Sequence, residues 1–132
     1  YRRYITNRYK RYIYPAIIRG EATYEDKSSR CNVKGLKADF AKIETPTIVY
    51  GRYINEMDVA QKRKVCVIGK QVYENLYPKG VDPCGTRIKI GPAYYQVIGV
   101  DYNESKHYCV SMSYECTLTI RGCNKGGCDK QT

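Results

Sequence analysis

Proline and glycine divide the middle of this chain into short segments, and this division constrains the fold more than any other feature. Pro46 ends one segment, Gly69 breaks an apolar run, and Pro78 and Gly80 end a helical stretch. Proline cannot continue a helix, and the residue before it avoids the α region. We therefore predict a fold built from short strands and short helices.

The segments between these breaks alternate between strand and helix character. Residues 16–24 and 30–36 predict a hairpin around the polar turn 25–29. Further along, the pattern predicts a helical stretch opening at 55–60, a buried strand at 64–68, a helix at 71–77, and strands at 86–90 and 94–100. This order is typical of an α+β fold: a small mixed sheet with short helices, in one lobe or two.

Three further segments, two of them at the ends of the chain, follow other patterns. Tyr and Ile recur at helical spacing in residues 1–14, which predicts a short helix, although their β-branched and aromatic content also suits an irregular strand. Residues 39–44 predict a helical turn capped by Asp39. From Tyr108 to Ile120 apolar and polar residues alternate strictly, which predicts a half-buried strand or a hairpin with a tight bend.

The charge balance is basic, with 23 Lys and Arg against 13 Asp and Glu and a formal net charge of +10. Six basic residues precede the first acid, Glu21. They form either a patch for polyanions or lipid headgroups or a solvated basic face. Binding of nucleic acid is not expected, because no sequence signature of a nucleic-acid-binding fold is present.

The chain contains seven cysteines, a number that favours an oxidising compartment. Cys66 lies in an apolar run and is expected to be buried. Cys123 and Cys128 are the best candidates for a disulfide. The last four cysteines could also ligate zinc, but they lack the close pairs that such sites use, so we expect neither metal nor cofactor.

Few residues are suited to catalysis. His107 is the only histidine, and no Ser/His/acid or Cys/His arrangement stands out. The glycines are scattered and form no phosphate-binding loop. The sequence therefore predicts a protein that is not an enzyme.

One stretch of the chain resembles a known family. This stretch begins with Gly51-Arg52, continues with two apolar residues, and reaches an acid at Asp58. The pattern is similar to a motif of MacB-like (MacB/FtsX/LolC-type) ABC transporter permeases. The similarity continues through the strand that ends at Gly69, the turn 82–85 and the closing strand 95–100. Together these pieces identify residues 14–100 as similar to the core of the extracytoplasmic domain of such permeases.

The resemblance implies a scaffold without an active site. It implies that residues 1–132 are one extracytoplasmic domain fragment, in which 101–132 form a divergent β segment and a Cys-rich tail. The positions that match the family's turns and strand ends are expected to determine the fold; they are Gly51, Arg52, Asp58, Gly69, Asp82, Pro83, Gly85 and Gly99.

The family also implies a function. Such a domain would be non-catalytic and would lie at the periplasmic face of the bacterial inner membrane. It would couple cytoplasmic ATP hydrolysis to export, or to extrusion of lipoproteins or peptides. Its expected partners are the transmembrane helices and ATPase of a dimeric parent transporter, together with an adaptor or cargo protein. The alternative is a secreted, basic, disulfide-stapled module that binds a polyanion.

Overall fold

The computed structural model describes residues 16–38, 42, 45–103 and 110–122. This part of the chain contains seven strands and three helices. The strands are β1 (Ala16–Tyr24), β2 (Lys27–Leu36), β3 (Ile48–Gly51), β4 (Val65–Gly69), β5 (Arg87–Ile90), β6 (Ala93–Asp101) and β7 (Val110–Ser113). The helices are α1 (Glu56–Ala60), α2 (Lys70–Leu76) and α3 (Tyr114–Gly122).

The predicted hairpin is present, with a tighter turn than expected. β1 and β2 pair antiparallel from Ala16 opposite Gly35 to Tyr24 opposite Lys27. Only two residues connect them, and Glu25 adopts a left-handed conformation with φ 56°. Such a conformation matches the twist of the flanking strands. The polar residues 27–29 therefore belong to β2 rather than to the turn.

The sheet is mixed and closes on itself. Its strand order is β3-β6-β4-β7-β2-β1-β5, and β5 also pairs with β6. β4 pairs parallel with β6, and β2 pairs parallel with β7. The closing contact between β1 and β5 consists of two residue pairs, Ala22 with Ile90 and Thr23 with Lys89. All the described strands thus join one sheet, and the α+β prediction is confirmed.

The core fills this closed sheet and continues on the outer side of β2, β4 and β7, where consecutive residues are buried. Residues alternate between the interior and the surface along β5, where Ile88 and Ile90 are buried and Arg87 and Lys89 are exposed. Cys66 of β4 is fully buried, as its apolar surroundings predicted. The other fully buried side chains include those of Val33, Leu36, Val72, Tyr95, Val97 and Met112.

One prediction for the end of the chain is wrong: residues 114–122 form helix α3 and not a strand. The Ser113 hydroxyl accepts a hydrogen bond from the Cys116 amide at 3.3 Å, as a helix-capping side chain does. Cys116, Thr117 and Ile120 are buried, a spacing of three to four residues. Within the described part of the predicted strand, residues 110–113 do pair with neighbours, β2 and β4.

Several other predictions concern residues outside the described part of the chain. These are the element at 1–14, most of the helical turn at 39–44, His107, and Cys123 and Cys128. Within the described ranges, no helix is both long and apolar enough to cross a membrane.

Candidate functional site

Gly51 and Gly99 form a crossing where two backbone segments touch. The Arg52 amide donates a hydrogen bond to the Ile98 carbonyl at 2.9 Å. Gly51 has φ +69°, and a Cβ there would collide with that same carbonyl oxygen. A Cβ on Gly99 would collide with the carbonyl of Arg52. Both positions therefore require glycine, and the close approach holds the end of β3 against β6.

Asp58 lies directly beyond this crossing and organises it. Its side chain is fully buried. It accepts hydrogen bonds from Arg52 Nη1 at 2.7 Å, Arg63 Nη1 at 3.0 Å and the Asn55 amide at 3.0 Å. The Asn55 side chain accepts in return from the Asp58 amide at 3.0 Å, which completes a capping box at the start of α1. We call Arg52, Asn55, Asp58 and Arg63 the Asp58 clamp.

The clamp keeps its carboxylate ionised. Burial by itself raises the pKa of Asp58, but the hydrogen bonds from Arg52, Asn55 and Arg63 outweigh burial, and the pKa falls below its ordinary value. The hydrogen bond to Asp58 also raises the pKa of Arg52. An ionised carboxylate whose two oxygens are both occupied is poorly placed to take up a proton from a substrate. The geometry is that of a structural ion cluster.

The turn at residues 82–85 packs beside the crossing. Asp82 Oδ1 accepts from the Cys84 amide at 2.9 Å, and the Thr86 hydroxyl donates to the Pro83 carbonyl at 2.7 Å. Gly85 has φ +96°, and its amide donates to the Val97 carbonyl at 2.9 Å. The Cys84 sulfur lies over Gly51. The structure thus brings this turn together with Gly51, Arg52, Asp58 and Gly99.

Gly69 has a different place from the other motif residues. It is the last residue of β4 and the residue before α2, with an extended backbone at φ −87°. It lies opposite Asp101 at the end of β6. It connects strand to helix.

Three cysteine thiols of the described chain, those of Cys66, Cys84 and Cys116, are held protonated. Burial raises the pKa of Cys66 and of Cys116 above the ordinary thiol value. Burial, together with Asp82, raises the pKa of Cys84 to about 11. Since the thiolate is the nucleophilic form, these three thiols are poorly suited to catalysis. No cluster of potential metal ligands occurs among the residues that the structure describes.

Sequence reasoning missed a row of neighbouring tyrosine rings, Tyr24, Tyr77, Tyr73 and Tyr50, which we call the tyrosine row. Successive ring centroids lie 4.5, 5.9 and 5.7 Å apart. The row borders a cavity of about 350 Å³ that Glu74, Lys79 and Tyr102 also line. Fifteen tyrosines in the sequence, with two of them four residues apart in a predicted helix, were the available signal.

A comparison with known families decides what this scaffold is. The sequence model of the MacB-like periplasmic core domain matches residues 6–114. The chain belongs to this family. The resemblance seen in the glycine and aspartate motifs is therefore confirmed.

Relatives of this MacB-like domain are transporter proteins. The macrolide export ATP-binding/permease protein MacB of Bdellovibrio bacteriovorus is 32% identical over 82 residues, which cover 62% of this chain and 12% of that protein. MacB 2 of Aeromonas hydrophila is 28% identical over 86 residues, which cover 65% of this chain and 13% of that protein. The domain thus spans about an eighth of these relatives.

Solved structures share the fold of the MacB-like domain. The extracellular domain of the noncanonic ABC-type transporter YknZ from Gram-positive bacteria superposes with a TM-score of 0.73 at 19% identity, covering 83% of this chain and 57% of that one. The periplasmic region of MacB from Actinobacillus actinomycetemcomitans gives a TM-score of 0.70 at 22% identity, covering 82% of this chain and 50% of that one.

Proposed function

We propose that this chain is the extracytoplasmic domain of an ABC transporter permease at the periplasmic face of the bacterial inner membrane. The observation that carries the proposal is the family match over residues 6–114. Curated relatives are named as export ATP-binding/permease proteins, which supports a role in export.

In this proposal the domain is non-catalytic and works by transmitting motion. A cytoplasmic ATPase hydrolyses ATP, transmembrane helices of a permease dimer move, and the domain moves with them as one body. The closed sheet and the Asp58 clamp support this, because a strained or loosely packed module would absorb motion instead of passing it on. The protonated thiols and the fully bonded Asp58 support a domain without chemistry of its own.

The motif residues have a matching role in the proposal: they keep the domain rigid. Gly51 and Gly99 permit the crossing, and Arg52 and Asp58 fix the chain that leaves it. Asp82, Pro83 and Gly85 shape the neighbouring turn, and Gly69 joins β4 to α2. Motion delivered to one end of the sheet would then reach a bound adaptor or cargo protein at another, and so drive export or the extrusion of lipoproteins or peptides.

The reading frame that encodes the chain gives the first test. We expect hydrophobic helices on both sides of this domain, and a P-loop ATPase in the same gene or the neighbouring one. A secreted frame without any membrane segment would contradict the proposal and favour the polyanion-binding alternative. The free thiols of Cys66, Cys84 and Cys116 give that disulfide-stapled alternative no support in the described part of the chain.

Reconstitution of the parent transporter gives the second test. Residues 16–122 are replaced by a flexible Gly/Ser linker, and ATP hydrolysis and export are measured in proteoliposomes. We expect basal ATP hydrolysis to persist and export to stop, because the domain contributes coupling and contact instead of catalysis. Export at an unchanged rate would show that the domain is dispensable and would overturn the proposal.

A further inference from the structure

The outward surface of four neighbouring strands is basic. Arg19 of β1, Arg30 of β2, and Arg87 and Lys89 of β5 are all exposed. The residues that alternate with them face the interior; Ala22, Ile88 and Ile90 are fully buried there. We call the exposed surface of β1, β2, β5 and β6 the basic face.

Strand register fixes the spacing of these charges, which follow one another diagonally across neighbouring strands. Arg30 lies opposite Glu21 in the β1–β2 ladder. Lys89 lies between Thr23 of β1 and Tyr94 of β6. Neighbouring strands are roughly 4.8 Å apart, and alternate residues of one strand roughly 7 Å apart. The four cations thus lie on one surface three strands wide, and their positions are fixed by the backbone.

The charges on this face are available to a partner. Four cations stand against one acid, Glu21. None of the four forms an ion pair with another residue in the described part of the chain, where the ion pairs are those of Arg52 and Arg63 with Asp58 and of Lys42 with Glu56. A concentrated patch of one sign attracts a partner of opposite sign.

A depression at the Arg19 end of the basic face gives it the form of a binding site. Its volume is about 610 Å³. Arg19 and Arg30 line it together with two side-chain amides, from Asn32 and Gln71, and with Glu21. Guanidinium groups bind carboxylates through two parallel hydrogen bonds, and amides can bind either a backbone or a side chain.

The composition of the face distinguishes among anionic partners. A bilayer is bound through inserted apolar side chains as well as charge. Within the ranges that the structure describes, the exposed large hydrophobic residues are Val49, Met57, Val81 and Tyr94, and only Tyr94 belongs to the basic face. Glu21, among the cations, would be repelled by a uniformly anionic surface, whereas an extended acidic peptide can place an uncharged side chain opposite it.

We infer that the basic face, with the Arg19–Arg30 depression as its anchor, binds an acidic segment of a protein. This deepens the proposed function, on which it rests, by giving the chemistry of the adaptor or cargo that the domain contacts: a peptide stretch rich in Glu or Asp that places a carboxylate between the two arginines.

The test uses the 132-residue chain and a fluorescent ten-residue peptide of alternating Glu and Thr, with the matching Gln and Thr peptide as the uncharged probe. Binding is measured by fluorescence anisotropy at 20 and 200 mM NaCl. We expect the Glu peptide to bind, the Gln peptide to bind at least tenfold more weakly, and added salt to weaken the Glu complex.

Two double variants with the same net charge locate the site. We expect Arg19→Gln/Arg30→Gln to weaken binding of the Glu peptide at least tenfold, and Lys62→Gln/Lys79→Gln, at exposed lysines away from the face, to change it less than twofold. Circular dichroism melts verify that both variants fold. Equal losses in the two variants would show that net charge alone attracts the peptide, and would overturn the inference.

Vesicles decide between a protein and a membrane. The chain is sedimented with vesicles of phosphatidylglycerol and phosphatidylethanolamine in a 1:3 ratio. Vesicle binding that depends on Arg19 and Arg30, without binding of the Glu peptide, would replace the inferred partner by a lipid surface. Both experiments use the isolated chain, so a failure to bind the Glu peptide leaves the transporter proposal intact. A reading frame without membrane segments would overturn the transporter proposal but would not change the measured binding.

Discussion

Asp58 shows how much of the local structure one side chain can fix. It is fully buried, and its two oxygens receive hydrogen bonds from Arg52, Arg63 and the Asn55 amide. The arginine side chains are 47% and 41% exposed, so water screens their outer surfaces while their tips remain on the carboxylate. The carboxylate thereby joins the end of β3, the start of α1 and the loop before β4.

Asp58→Asn is therefore expected to lower the free energy of unfolding by about 2–3 kcal/mol, because two guanidinium groups lose their shared anion. Urea unfolding at pH 7 measures the change. Glu56→Gln is the matched control, since it removes the same charge from the same helix at an exposed ion pair with Lys42. The control should cost less than about 0.5 kcal/mol. Equal losses would contradict a special role for Asp58.

The same substitution has a pH signature. The pKa of Asp58 lies below that of an unfolded aspartate, so its stabilisation is fully present above about pH 4 and is lost as the pH falls through the folded-state value. The difference in stability between the wild type and Asp58→Asn should then shrink when the unfolding series is repeated at pH 3 and pH 2. A difference that stays constant down to pH 2 would contradict this prediction. It would show that Asp58 stabilises the fold through its shape and not through its charge.

Gly99 allows a second test at the scale of single residues. Gly99→Ala would drive a Cβ into the Arg52 carbonyl, and we expect a loss of about 3 kcal/mol. Gly80→Ala is the control, because Gly80 has φ +85° but no atom lies within 4 Å of the added Cβ. This variant should therefore lose only about 1 kcal/mol, from backbone strain without a steric clash. Thermal melts and urea unfolding compare them. A smaller loss at Gly99 than at Gly80 would contradict the steric account of the crossing.

At the scale of elements, the tyrosine row joins α2 to β1 and to β3. Tyr73 of α2 and Tyr77, the residue that follows α2, are almost fully buried. Tyr77 stacks on Tyr24 of β1, and Tyr73 packs at a tilt against Tyr50 of β3. The Tyr73 hydroxyl donates to the Val81 carbonyl at 2.6 Å, and the hydroxyls of Tyr77 and Thr86 lie 2.6 Å apart. A single short helix can be held in this way because each aromatic ring buries a large area while its hydroxyl finds a partner.

This packing predicts an alkaline limit to stability. Burial raises the pKa of Tyr77 to about 12, whereas an unfolded tyrosine titrates near 10. The stabilisation is complete below about pH 10 and is lost as the pH rises towards 12. Absorbance at 295 nm and circular dichroism should therefore show tyrosinate formation and unfolding together. Tyr77→Phe should shift the unfolding midpoint to higher pH, and Tyr94→Phe, at a 60% exposed ring, should not. Unchanged midpoints in both variants would contradict the prediction.

Elements between strong local breaks could be predicted from the sequence, and elements defined by distant partners could not. The hairpin, β4 and α2 follow from turn residues and apolar spacing within a few positions. α3 was mistaken for a strand because its apolar residues also fit a period of two; the contact of Thr117 with Gly35, far away in sequence, decides for the helix. Arg63 is only five residues from Asp58, but it was missed because the turn that brings it back has Lys62, and no glycine, in the left-handed conformation at φ 53°.

At the scale of the whole molecule, closure of the sheet requires strand pairs that lie close together in the sequence and strand pairs that lie far apart in it. β1 and β2 pair across a two-residue turn. β7 instead pairs parallel with β2, where Val110 lies opposite Val33, and antiparallel with β4. Closing a long loop costs more chain entropy than closing a short one, and non-local pairing slows folding. The hairpin should therefore be structured before β7 takes its place between β2 and β4.

Stopped-flow folding in urea can test this order with two core truncations. Ile18→Ala removes a β1 side chain packed on the core, and Met112→Ala removes a fully buried side chain of β7. If the hairpin belongs to the transition state, Ile18→Ala should mainly slow folding, whereas Met112→Ala should leave the folding rate nearly unchanged and accelerate unfolding. Met112→Ala slowing folding as strongly as Ile18→Ala would mean that the sheet closes before the barrier. If the sheet instead closes after the barrier, β7 is released before the rest of the sheet during unfolding. The rate of that release would then set how long the domain keeps the rigidity that its proposed coupling role needs.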